Sequence, residues 1–263
     1  MDPSLPSFEK PPVVEVVMGV QFHPLDSLLA PHLGLFWETV RNEYPECREN
    51  VPIIPQVEEI SRPGAFREPG ILLTQLPNLP RVFFESTDGE WLIQLQRDRF
   101  LHNWRTHSKT STYPRYPSVR DRFFAQWRNF TKFVQINGLG DINVTQLEIT
   151  YLNHIGPWPE DADIGDVLPD FRWRTDKRLL AKPETCSISF AFAAKETGSR
   201  LRATVKPVQD HEKSRLLRFE LTVRGLPDDK NLENWFDSGR QWIVTAFADL
   251  TSKEWHKKWG RTT

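Results

Sequence analysis

Two periodicities alternate along this chain, one of two residues and one of three to four, and their order gives the first account of the fold. Residues 13–22 (VVEVVMGVQF) form a β-branched, mostly apolar run entered through Pro11-Pro12 and left through Pro24, the signature of a buried strand. From 28 to 44 the spacing changes. Leu29, Leu33, Phe36/Trp37, Val40 and Tyr44 recur every three or four residues and make one apolar helix stripe that ends at Pro45. A short strand is expected over 53–60. Residues 81–85 and 91–105 flank Asp88-Gly89, a dipeptide that tolerates the positive φ of a tight hairpin turn, so two antiparallel strands are expected there. Pro117-Ser118 open a second helix carrying Val119, Phe123, Trp127, Phe130 and Val134, with Asn137-Gly138 as its C-terminal cap.

The second half follows a similar order. A strand over 144–155 leads into a Pro- and acid-rich connection, 156–183, with room for a short helix. Residues 186–194 and 201–208 pair as a hairpin around Thr197-Gly198, and a strand over 216–223 precedes a helix from about 232 to 250 carrying Trp235, Trp242, Ala246 and Leu250. Thr251 with Glu254 three residues on resembles a capping box, opening a last short helix with Trp255 and Trp259 on one face. The expected class is α+β: two pseudo-repeated β-x-β-β-β-α halves, 1–140 and 141–263, forming a mostly antiparallel sheet with aromatic helices packed on one face. The halves are either two units or one continuous domain.

Composition agrees with a packed core. Ten Trp and seventeen Phe against two Met make aromatic rings the main packing material. Lys plus Arg (34) nearly balance Asp plus Glu (35), so overall charge selects no partner. The two cysteines, Cys47 and Cys186, have no zinc or redox spacing and are expected as buried or half-buried thiols in a reducing compartment. No stretch approaches the roughly 20 apolar residues of a membrane helix, and the N-terminus lacks a basic start followed by an apolar run. Neither secretion nor a membrane is expected.

Four blocks, PPVVEVVMGVQFHPL (11–25), QLQRDRFLHNWR (94–105), YPRYPSV (113–119) and TQLEITYLNHI (145–155), together resemble a sporadically distributed family of conserved bacterial proteins of about this length. The resemblance runs over nearly the whole chain, the Trp-rich end included. It implies a bacterial, cytoplasmic setting, and its patchy distribution suggests mobile defence or toxin–antitoxin genes. It carries no cofactor and no catalytic residue.

Candidate chemistry lies in the two signature strands, where amides and charges alternate with apolar residues. Gln94, Gln96, Arg99, Arg105, Gln146, Glu148 and His154 either form a solvated sheet face or line a polar groove that would specify a ligand or a partner strand, because buried amides must be hydrogen-bonded. An enzymatic use is disfavoured. Glu148 and His154 are six residues apart on one strand, about 20 Å between Cα atoms. No nucleophile elbow or glycine-rich phosphate loop occurs, Gly138-Leu139-Gly140 reads as a cap and turn, and His102/His107 lack metal-ligand spacing. No metal or other cofactor is therefore expected.

Charge is uneven locally. Between Arg97 and Lys132 nine Lys/Arg, among them Arg115, Arg120, Arg122 and Arg128, face only Asp98 and Asp121, interleaved with Trp104, Tyr113, Tyr116 and Phe124. That composition suits single-stranded nucleic acid, or else a solvated helix face whose charge the acidic stretch 160–170 neutralises. The sequence thus leads to a non-catalytic recognition protein whose partner is another protein. A nucleic-acid module using the basic stretch and a small-ligand sensor with a polar pocket are the alternatives.

Overall fold

The computed structural model describes residues 5–54, 58, 79–108, 110–157, 163–174, 176, 179–194, 198–210, 213–226 and 231–263. The elements run β1 (Val13–Phe22), α1 (Ala30–Val40), β2 (Glu46–Asn50), β3 (Arg81–Glu85), β4 (Trp91–Gln96), β5 (Arg99–Arg105), α2 (Arg115–Ile136), β6 (Val144–Ile155), α3 (Ile164–Val167), a 3-10 turn (Pro169–Phe171), β7 (Ile188–Ala194), β8 (Ser199–Gln209), β9 (Arg215–Gly225), α4 (Leu232–Leu250) and α5 (Lys253–Lys258). The class is α+β. All nine strands join one sheet in the order β2-β3-β4-β5-β1-β6-β9-β8-β7, and every neighbouring pair is antiparallel.

The two-residue period of the strands separates the faces. On one, Val16, Met18, Val20 and Phe22 of β1 sit beside Ile93, Phe100, Trp104, Ile149 and Tyr151, all buried. Helices cover this face. Phe123, Trp127 and Phe130 of α2 meet Phe22 and Phe100 with ring centroids 5.3 to 6.4 Å apart, and Phe36 of α1 wedges among Phe84, Phe130 and Phe133. Farther along the same face, Phe219 of β9 stacks on Phe247 of α4 at 5.8 Å. Such ring contacts add to the apolar burial of each side chain. One hydrophobic cluster runs through both halves.

Four local expectations need correction. The 91–105 run is two strands, turned at Arg97–Asp98, because a turn there needs no positive φ and hence no glycine to mark it. The strand after α1 is Glu46–Asn50, and of the expected 53–60 the described residues 53, 54 and 58 are not in a strand, the others lying outside the described residues. Thr251 does not cap α5. Its hydroxyl donates to Phe247 O at 2.5 Å and meets His256 Nε2 at 2.8 Å, closing α4. Cys47 is exposed on β2, an edge strand that covers only one side of its neighbour, while Cys186 is half-buried.

The termini are clasped together. Glu9 N donates to Gly260 O at 2.9 Å, Lys10 N to Trp259 O at 3.0 Å and Thr262 N to Ser7 O at 2.9 Å. Phe8 then packs edge-on against Phe247 and Trp259, so α5 docks on the core through Trp259.

Candidate functional site

The face of the sheet turned away from α1, α2 and α4 carries the polar residues of the signature strands, because Gln94 and Gln96 are out of phase with Ile93 and Leu95, and Gln146 and Glu148 with Leu147 and Ile149. Gln94, Gln96, Arg99 and Gln146 are nonetheless buried. Burial forces each amide to find a partner. Gln94 Nε2 donates to Asn103 Oδ1 at 2.9 Å and its Oε1 accepts from Arg81 at 2.9 Å; Asn103 Nδ2 continues to Glu15 at 2.6 Å. Gln96 exchanges both bonds with the Ile53 backbone, at 2.9 and 3.0 Å, and Gln146 Oε1 accepts from Glu58 N at 2.9 Å. Arg99 donates to Gln21 at 2.5 Å. Ile53 and Glu58 of the chain itself thus partner these amides.

Toward β9 and β8 the amides give way to ion pairs. Arg224 Nε donates to Glu148 Oε2 at 2.8 Å, and Glu58 accepts from Arg200 at 2.8 Å and from Arg202 at 2.5 Å. Gly19 of β1 makes room for this arrangement, since a Cβ there would run into the Leu101 side chain and stand 3.0 Å from Glu148 Cγ. Burial alone would push the Glu148 carboxyl up. Arg224 and Arg99 outweigh it and hold the group below the usual carboxylate range, as Arg202 and Arg200 do for Glu58. The crevice lined by Gly19, Gln21, Arg99, Leu101, Gln146 and Glu148 admits no water molecule.

Of the seven residues expected to form the groove, Gln94, Gln96, Arg99, Gln146 and Glu148 share the central rungs. Arg105 and His154 lie at the rim. Arg105 binds Glu85 at 2.6 Å and Gly89 O at 3.0 Å, while the pKa of His154, half-buried opposite Arg218, is pushed down by burial and then by the Arg218 charge. Sequence reasoning passed over Glu15, Gln21, Glu58, Arg81, Arg200, Arg202 and Arg224. Alternation in β8 and β9 was the available signal for the last three.

The basic stretch divides between the faces of the molecule. Arg99 and Arg105 are on the polar sheet face, opposite α2. Arg115, at φ 70, donates to Phe8 O and Glu9 O at 2.8 Å each; Arg120 pairs with Glu233 at 2.6 Å and Asp237 at 3.1 Å; Arg122 lies 4.4 Å over the Trp91 ring. Arg128 is exposed. The carboxylates that meet Arg120 belong to α4 and, through Asp121, to α2 itself, and not to the acidic stretch, whose Asp163 and Asp166 face Lys182 and Arg172. His102 is fully buried on the helix side, bonded to Tyr44 OH at 2.9 Å, and burial followed by the Arg122 charge pushes its pKa down to about 3. Among the described residues no group of three or more His, Cys, Asp or Glu is placed to hold a metal, and no helix is long and apolar enough to cross a membrane.

Fold and face together define an α+β protein with a single antiparallel sheet, one side of it aromatic and the other a closed polar seam. No family model matches the chain, and neither a curated protein nor a solved structure matches it.

Proposed function

We propose that this is a non-catalytic recognition protein that binds another protein, and that the partner adds an extended segment to the edge strand β7. The observation that supports this reading is the composition of that edge. β7 (ISFAFAA) has no charged residue and no proline, Ser189, Ala191, Phe192 and Ala193 are exposed, and Phe192 keeps 44 % of its surface in solvent. Free edges of natural sheets are ordinarily blunted by charges or bulges, so an open apolar edge invites a strand. The amides and carboxylates at the centre of the polar seam are bonded to the chain's own residues, and Arg115, Arg120 and Arg122 have internal partners, so neither supports a competing surface. The bacterial defence or toxin–antitoxin setting belongs to this proposal through the family resemblance and has no other support.

The two-halves reading is kept as part of the proposal. Its support is the strand order: β1 and β6 are central neighbours, β5 and β9 flank them, and β4 and β8, then β3 and β7, follow outward.

The test is to place lysines on the edge. Ser189→Lys with Phe192→Lys should weaken a complex rebuilt from the purified protein and its host partner by about tenfold or more, leaving the melting temperature within a few degrees. Unchanged affinity contradicts the reading. Loss of a homodimer instead would make the occupant a second copy of the chain.

A further inference from the structure

Between the sheet and α4 lies a cavity of about 200 Å³ that the polar seam does not reach. Its floor is Val13, Tyr151, Asn153 and Leu221, one wall is Ile243, Val244 and Phe247 of α4, and the N-terminal residues Pro6, Ser7, Phe8 and Pro11 roof it. The roof is fastened on two sides, by the Arg115 guanidinium on the Phe8 and Glu9 carbonyls and by the backbone bonds to residues 259–262.

The polar groups at this cavity have an uneven balance. Asn153 Nδ2 is engaged with Phe219 O at 3.1 Å, and Tyr116 OH donates to Asp237 at 2.8 Å. Tyr113 and Tyr151 share one hydrogen bond of 3.0 Å between their hydroxyls. Burial raises both pKa values, that of Tyr151 to about 12, so two protons are present and only one lies in the shared bond. The other is left to donate. Arg240 lines the same cavity 5.6 Å from the Tyr116 ring centroid and hydrogen-bonds the Tyr151 hydroxyl, but it meets no carboxylate among the described residues and its buried Nε has no acceptor. A cation without a counter-ion, a hydroxyl proton without an acceptor and apolar walls define a complement: an anion carried on an apolar body.

We infer that this cavity binds a small monocarboxylate, its carboxylate against Arg240 and the Tyr113–Tyr151 pair and its ring or branched alkyl body against Val13, Leu221, Ile243 and Phe247. At about 30 Å³ per water the space equals six or seven waters, which limits the body to one six-membered ring. The site goes beyond partner binding at β7 and does not depend on it.

Calorimetry on the full chain with benzoate, cyclohexanecarboxylate and the neutral benzamide tests the inference. Both carboxylates should bind one to one, with benzamide at least about tenfold weaker, since a charge-assisted bond is lost. Arg240→Met, which keeps the stem, should reduce benzoate affinity by about tenfold, and Tyr113→Phe by a smaller factor. Val244→Trp, which fills the cavity, should abolish binding of all three at an unchanged circular dichroism spectrum. Benzamide equal to benzoate, binding that survives Val244→Trp, or no saturable binding of either carboxylate would each overturn it.

Discussion

The two outer strands of the sheet are built in opposite ways. β2 (ECREN) is exposed at all five positions and carries Glu46, Arg48 and Glu49, with Arg48 paired to Glu85 and lying 5.2 Å over the Phe83 ring. β7 has no charge at all, and its Phe190 stacks on Phe171 at 5.4 Å while Phe192 stands out. The wings behind them differ too. Behind β2 the centre of the polar face is held by amides, Gln94 to Asn103 and Gln96 to Ile53, with ion pairs of Glu85 to Arg48 and Arg105 at its rim; behind β7 the centre is held by Glu58 with Arg200 and Arg202 and by Glu148 with Arg224. A charged edge repels an incoming strand at little cost to the fold. The uncharged edge sits on the wing whose central charges are paired within the sheet face.

The largest effect expected from this contrast comes from removing α5, which with α4 covers the β7 wing. Truncation after Leu250 should cost about 5 kcal/mol, because two Trp of about 200 Å² each at about 25 cal/mol per Å² give about 10 kcal/mol, roughly half of it offset by the entropy of ordering the segment, and it should raise amide exchange in β8 and β9 well above that in β3 to β5. Equal loosening of both wings in a hydrogen-exchange measurement would remove the distinction. Arg224→Met should follow at about 3 kcal/mol in denaturant unfolding, because the Glu148 carboxylate stays buried without its partner. Gln94→Leu on the other wing should cost about 1 to 2 kcal/mol, the loss of neutral bonds.

A smaller effect follows pH. His102, behind β2, is neutral in the fold with a pKa of about 3, whereas the unfolded chain takes up its proton near the ordinary value of 6.5. Its contribution is present above pH 6.5 and is lost as pH falls toward 3, at about 1.4 kcal/mol per unit. His102→Gln should flatten that slope in thermal unfolding followed against pH. The smallest change is on the edge itself: Glu46→Thr with Glu49→Thr strips the two carboxylates from β2 and should produce weak self-association by sedimentation without altering the melting temperature by more than a few degrees.

How much of this was legible depends on how local the determining physics is. The strands Val13–Phe22 and Val144–Ile155 and the helix Leu232–Leu250 stand where the periodicity puts them, because each is long and bounded by breakers or a cap. Gly89, Gly138 and Gly198 all take the positive φ their neighbours suggested. The Arg97–Asp98 turn shifts the alternation by one residue, positions 94 and 96 sharing a face with 99, 101, 103 and 105, and no glycine marks it. The polar seam was half legible. Its amides in β4 and β6 break an apolar run, but Glu58 reaches Arg200 and Arg202 from more than a hundred residues away, and no local pattern records that meeting. The open edge was hidden as well, because a strand's place at the end of a sheet is a property of the strand order and not of its own seven residues.

Amide hydrogen exchange in the rebuilt complex tests most directly whether β7 is the recognition edge. The outward amides of residues 188–194 should slow by at least about tenfold on binding while those of 46–50 keep their free rates. Slowing at β2, or unchanged exchange along β7 in a saturated complex, would contradict it.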